Sequence, residues 1–105
     1  MRRFREPLPP PGPTGWMIGV MVAVDGRAPP VRHFYAVAQP DRAQAEWAAV
    51  DCAVALGEVA SSPVGGVEPV QALGPLSSDK LRANGLGDGQ IRALGGKWPR
   101  SWLNR

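Results

Sequence analysis

A single cysteine, Cys52, excludes an internal disulfide, so no covalent cross-link reinforces this 105-residue chain. A lone thiol fits a reducing compartment, or serves as a small buried hydrophobe. Histidine and tyrosine also occur once each, as His33 and Tyr35. A metal centre needs three or four converging ligands, and one His with one Cys is too few, so neither a metal nor a cofactor is expected. The most apolar run, residues 16–24, is far short of the about 20 residues that span a bilayer. Arg2, Arg3 and Phe4 ahead of that run loosely resemble a signal peptide. Glu6 and five prolines stand between them, and no small-x-small cleavage site follows. The expectation is a cytoplasmic protein with no membrane partner.

Catalytic and cofactor signatures are equally scarce. Gly85, Gly87 and Gly89 give a G-x-G-x-G run, but a helical pattern precedes it where a dinucleotide fingerprint needs a strand. Gly95-Gly96-Lys97 ends like a phosphate loop, yet Ile91 stands where its first glycine belongs and Trp98 where its hydroxyl belongs. A helix–turn–helix reading of residues 77–94 leaves a second helix of about six residues with only Arg92 to contact DNA, too little for a recognition helix.

The formal charge of +3 is unevenly placed. Residues 1–14 hold Arg2, Arg3 and Arg5 against Glu6, and residues 95–105 hold Lys97, Arg100 and Arg105 with no acid. Between them, six basic residues face eight acidic ones, so the body is mildly acidic. A basic face on the folded body, which nucleic-acid docking requires, is not evident at this level.

Five prolines in residues 1–15 favour an extended leader that buries too little to order itself. Pro7-Leu8-Pro9-Pro10 is a PxxP, but its arginines lack the spacing of an SH3 ligand, and a leader without a partner is the simpler reading. Met17 and Met21 are later candidate starts. Residues 16–96 then read as one α+β domain.

Its first strand is apolar on both faces: Trp16, Ile18, Val20, Val22 and Val24 on one, Met17, Gly19, Met21 and Ala23 on the other. An unbroken apolar strand implies cover on both sides. Asp25-Gly26 opens a turn, and residues 31–39 form a second, antiparallel strand. On it Arg32, Phe34, Ala36 and Ala38 oppose Val31, His33, Tyr35 and Val37.

Asp41 caps a helix over residues 42–56, with Gln44 at the capping-box position and Gly57 as the stop. This helix carries two stripes. Ala43, Trp47, Val50 and Val54 form one; Ala45, Ala48, Ala49, Cys52 and Leu56 form the other. One must face the sheet, and the alanine-rich stripe is either tolerated surface or a second packing face. Residues 58–66 read as a loop, and residues 67–73 as a third strand that Pro69 confines to an edge. Ser77 caps a second helix, with Leu76 and Leu81 as its staple, Gly85 at its left-handed stop and Leu86 folding back on Leu81. Residues 90–94 are too short to assign.

The tail, residues 97–105, interleaves Lys97 and Arg100 with Trp98 and Trp102. Such a pattern can stack on single-stranded bases or sit at a membrane interface. Packing of one tryptophan, Trp98, against the body is the favoured reading, because exposed indoles are costly.

The expected architecture is a small antiparallel sheet in the order β-β-α-β-α, with the long helix on one face. The second helix is too short to cover the other face, so a second copy of the chain is expected to cover it, as a homodimer. The function that follows is a non-catalytic interaction module. One alternative is nucleic-acid binding through the basic aromatic tails. Another is a small enzyme or binder at a dimer cleft, with His33, Tyr35 and Cys52 as the only reactive candidates. The candidate contact residues are thus His33, Tyr35, Cys52, Lys97, Trp98, Arg100 and Trp102.

Overall fold

The apolar strand sits at the centre of the sheet. The computed structural model describes residues 14–26 and 28–103, and the leader expected over residues 1–15 lies outside them except for Thr14 and Gly15. The elements run β1 (Gly15–Ala23), β2 (Val31–Val37), α1 (Arg42–Val54), β3 (Glu58–Val59), β4 (Val70–Leu76), α2 (Ser78–Ala83), β5 (Ile91–Gly95) and α3 (Arg100–Leu103). All pairings are antiparallel, in the order β3-β1-β2-β5, with β4 on β1 beside β3. This is the expected α+β class.

The β1–β2 register, from Trp16 opposite Val37 to Val22 opposite Val31, places the alternating sets as the sequence reading expects. Ile18, Val20, Val22, Tyr35 and Val37 line the α1 side, while Met17, Phe34 and Ala36 line the other. Asp41 caps α1, its side chain accepting from the Ala43 and Gln44 backbone N–H groups. The return bond to the Asp41 N–H comes from the Gln39 side chain, not from Gln44. The Trp16 indole N–H donates to the Pro40 carbonyl at 2.9 Å, fastening the start of β1 to the entry of α1. At the far end a Cβ on Gly57 would stand within 2.4 Å of the Ala23 carbonyl oxygen, so only glycine lets the chain leave α1 there.

Two boundaries depart from expectation. The third long strand begins at Val70, because residues 64–67 close a small turn of their own. Within the expected loop, Glu58 and Val59 pair with Ala23 and Val22 as the short strand β3. Pro69 keeps its place just outside the sheet, its carbonyl accepting from the Met21 N–H. At α2, Ser77 caps, Gly85 takes φ +73°, and the Leu86 N–H closes on the Leu81 carbonyl.

The largest departure concerns the second face of the sheet. Met17, Phe34, Ala36, Ala38 and Leu76 are closed over by Leu81 and Leu86 from the α2 hairpin and by Trp102 from α3. The tail crosses this face: Trp98 meets the Phe34 ring, and Leu103 lies against Gly74. The cover expected from a second copy is therefore supplied by the chain's own last described residues. The sequence predicts one packed tryptophan in this tail, Trp98; in the fold the Trp-Pro-x-x-Trp segment carries enough apolar area to act as a third layer, through Trp102.

Candidate interaction surface

α1 lies on the sheet through its small residues. Ala45, Ala49 and Ala53 are fully buried against Ile18, Val20, Val22, Tyr35 and Val37, with Ala48 and Cys52 alongside. Alanines spaced four apart form a flat helical face. That face fits a sheet surface already filled by β-branched and aromatic side chains, whereas a row of large residues would hold the helix too far away. The other stripe consequently points outward. Trp47 is 70% exposed and Val54 58% exposed, with exposed Ala43 and half-buried Val50 between and beside them.

An exposed tryptophan in the middle of an apolar helix stripe is a strong surface signal, since a lone exposed aliphatic residue is ordinary and a contiguous patch is not. Beside it runs a groove of about 380 Å³ lined by Ala43, Glu46, Trp47, Val50, Val59 and Val70. Its floor is the β3–β4 edge of the sheet and its wall the flank of α1. Only Glu46 brings charge to it. The surface was half legible: the sequence shows the Trp47 stripe, but not which stripe faces out.

The residues singled out from sequence fall into two groups on opposite sides of the sheet. Tyr35 is buried beneath α1, and Cys52 is close enough to act on its ionisation. His33 occupies the same sheet face, half-buried opposite Val20. Among the described residues no three of His, Cys, Asp and Glu form a metal-binding group, and no helix is long and apolar enough to cross a membrane. In the tail, Lys97 and Arg100 are exposed, but Trp102 is only 6% exposed and belongs to the core. Trp98, expected to be the anchor, is the partly exposed one at 47%. The two tryptophans exchange the expected roles because α3 turns Trp102, not Trp98, towards Met17 and Leu81.

Burial raises the Tyr35 pKa above its ordinary value, with a further upward contribution from Cys52. The folded chain therefore holds this proton more tightly than the unfolded chain does. Stability from this residue is fully present below the unfolded tyrosine pKa of about 10 and declines as pH rises above it. Because Tyr35 is the only tyrosine, phenolate absorbance follows it without interference. The native protein should titrate above the value of the urea-unfolded chain, and a native value at or below it would remove Tyr35 from the buried layer.

A second depression, of about 530 Å³, lies between Thr14, α2 and residues 85–88. Its charged lining residues are Arg82 and Asp88, and Arg82 is already paired with Asp79 at 3.0 Å. Comparison with protein-family models, with curated proteins and with solved structures returns no match for this chain.

Proposed function

We propose that this chain acts as a small non-catalytic binding module that pairs with a second copy of itself through the outer face of α1. The observation that carries the reading is the 70% exposure of Trp47 within the stripe Ala43–Trp47–Val50–Val54, directly beside an apolar groove. Knob and hole lie on one patch. A twofold interface brings a patch against its own copy, so Trp47 of each subunit can enter the groove of the other, between Val50, Val59 and Val70. Aromatic residues seated in apolar pockets are the usual centres of such interfaces. The exposed Val24 and Leu56, where the chain leaves α1, extend the apolar area at one end. Tyr35, one of the reactive candidates, is buried beneath α1 and does not line this groove.

Sedimentation equilibrium at high micromolar concentration tests it. The wild-type chain should sediment as a dimer, and Trp47→Glu as a folded monomer, because the change places a charge in the centre of the interface. A wild-type chain that stays strictly monomeric would sink the proposal.

A further inference from the structure

Folding the tail onto the sheet redistributes charge in a way that the linear map hides. From Gly89 to the last described residue, Leu103, there is no carboxylate, while Arg92, Lys97 and Arg100 are all present and exposed. β2, the neighbour of β5, also carries no acid and contributes Arg32. By register, Arg32 and Arg92 project to the tail side of the sheet, opposite α1. Lys80 from α2 joins them there, its ammonium donating to the Ser101 carbonyl at 3.3 Å. On the α1 side the order reverses: Asp41, Glu46 and Asp51 stand against Arg42, whereas Glu58, paired with Ala23, falls by register on the tail side, where Asp79 and Asp88 lie in and beside α2. The body is acidic in sum, yet Arg32, Lys80, Arg82, Arg92, Lys97 and Arg100 outnumber the acids of the tail side.

The basic layer also contains an ordered aromatic group. The Arg32 guanidinium carbon lies 5.4 Å from the centroid of the Phe34 ring. The Trp98 indole meets Phe34 edge to face, at 5.6 Å between centroids and 84° between planes. Backbone geometry prepares the group. A Cβ at Gly19 would stand 2.8 Å from Arg32 Cδ, so the glycine leaves room for the arginine stem to lie across β1. Gly95, at φ +80°, turns the chain out of β5 and brings Lys97 and Trp98 back over Phe34. Trp98 thus meets the Phe34 ring by an edge contact, with nearly half its surface open between the exposed Lys97 and Arg100.

We infer that this layer is a docking surface for single-stranded nucleic acid. Lys97, Arg100, Arg32 and Arg92 meet the phosphates, and Trp98 gives one base a surface to stack on. Duplex recognition is disfavoured, because α2 and α3, of six and four residues, are too short to enter a groove. A lipid surface is disfavoured too: Trp102 is spent in the core, so the layer lacks the broad apolar face that interfacial insertion needs. The inference is independent of the pairing through α1, which uses the opposite side of the sheet.

The test is fluorescence anisotropy of a labelled oligothymidylate of about 20 nucleotides, long enough for a surface of this kind, begun at about 20 mM salt. Trp47→Glu, with the stripe disrupted, is measured alongside the wild type to separate this surface from dimer formation. Binding should weaken with salt. Trp98→Ala should lower affinity about tenfold, the loss of one stacked base. Lys97→Gln with Arg100→Gln should flatten the log–log salt slope by about 1.4. All three positions are exposed or half-exposed, and circular dichroism verifies that each variant is folded. No binding at low salt overturns the inference. So does binding that ignores these substitutions, or tighter binding to phosphatidylserine vesicles than to the oligonucleotide.

Discussion

Trp102→Ala is expected to lower the unfolding free energy by about 3–5 kcal/mol, the range for removing a large buried aromatic side chain. A domain of this size has roughly 5–10 kcal/mol in total, so the variant should lose between about a third and all of it. Two physical effects act together. The indole fills space among Met17, Leu81 and Leu86, and its loss leaves a cavity. It also fastens α3, so without it the remaining tail covers the second sheet face less well and Met17, Phe34 and Ala36 gain access to water. Trp98→Ala is the matched control. With 47% of its surface exposed and one edge contact to Phe34, it should cost no more than about 1.5 kcal/mol. Urea unfolding followed by far-ultraviolet circular dichroism measures both. If Trp102→Ala unfolds within 1 kcal/mol of the wild type, a value well below the cavity cost, the tail is not the cover of this face.

Ala49→Leu is expected to have the second largest effect, about 1–3 kcal/mol or more, with the helix displaced from the sheet. Ala49 is fully buried at the middle of the α1 contact, against a face that already contains Ile18, Val20 and Tyr35. Three extra carbons have no vacant space to enter, so either the helix lifts or side chains leave their rotamer wells. Trp47→Leu on the opposite stripe should leave the stability of the isolated subunit within about 0.5 kcal/mol of wild type, as surface changes usually do. The ratio of the two effects decides the helix orientation. A destabilising Trp47→Leu beside a neutral Ala49→Leu would place the tryptophan stripe against the sheet.

These two residues mark where reading the chain from sequence succeeds and where it stops. Local chemistry was legible: the Asp41 and Ser77 caps, the Gly85 stop with Leu86 folding back, and the two alternating faces of β1 and β2. Each depends on atoms within a few residues of one another, so spacing is enough. Hydrophobicity was misleading at α1, because larger residues suggest the buried stripe and the sheet surface had no room for them. It was misleading again at the tail, where Trp98 and Trp102 are equal in composition and differ only in which way α3 turns. The candidate surfaces share this limit. The Trp47 stripe was visible without its outward direction. Of the basic aromatic layer only the tail segment with Lys97, Trp98 and Arg100 was visible, because Arg32 and Arg92 join it only once β5 has paired with β2.

The sequence alone therefore determined that β1 is covered on both faces, since a strand without polar alternation has no wet side. It also determined that no internal disulfide assists the fold, since Cys52 is the single cysteine. Only the tertiary structure decided what the covers are: an alanine face of α1 on one side, and α2 with the Trp102 tail on the other. The physical reason is volume. Composition tells how much apolar surface must be hidden, whereas the shapes that fit together are a property of elements far apart in the chain.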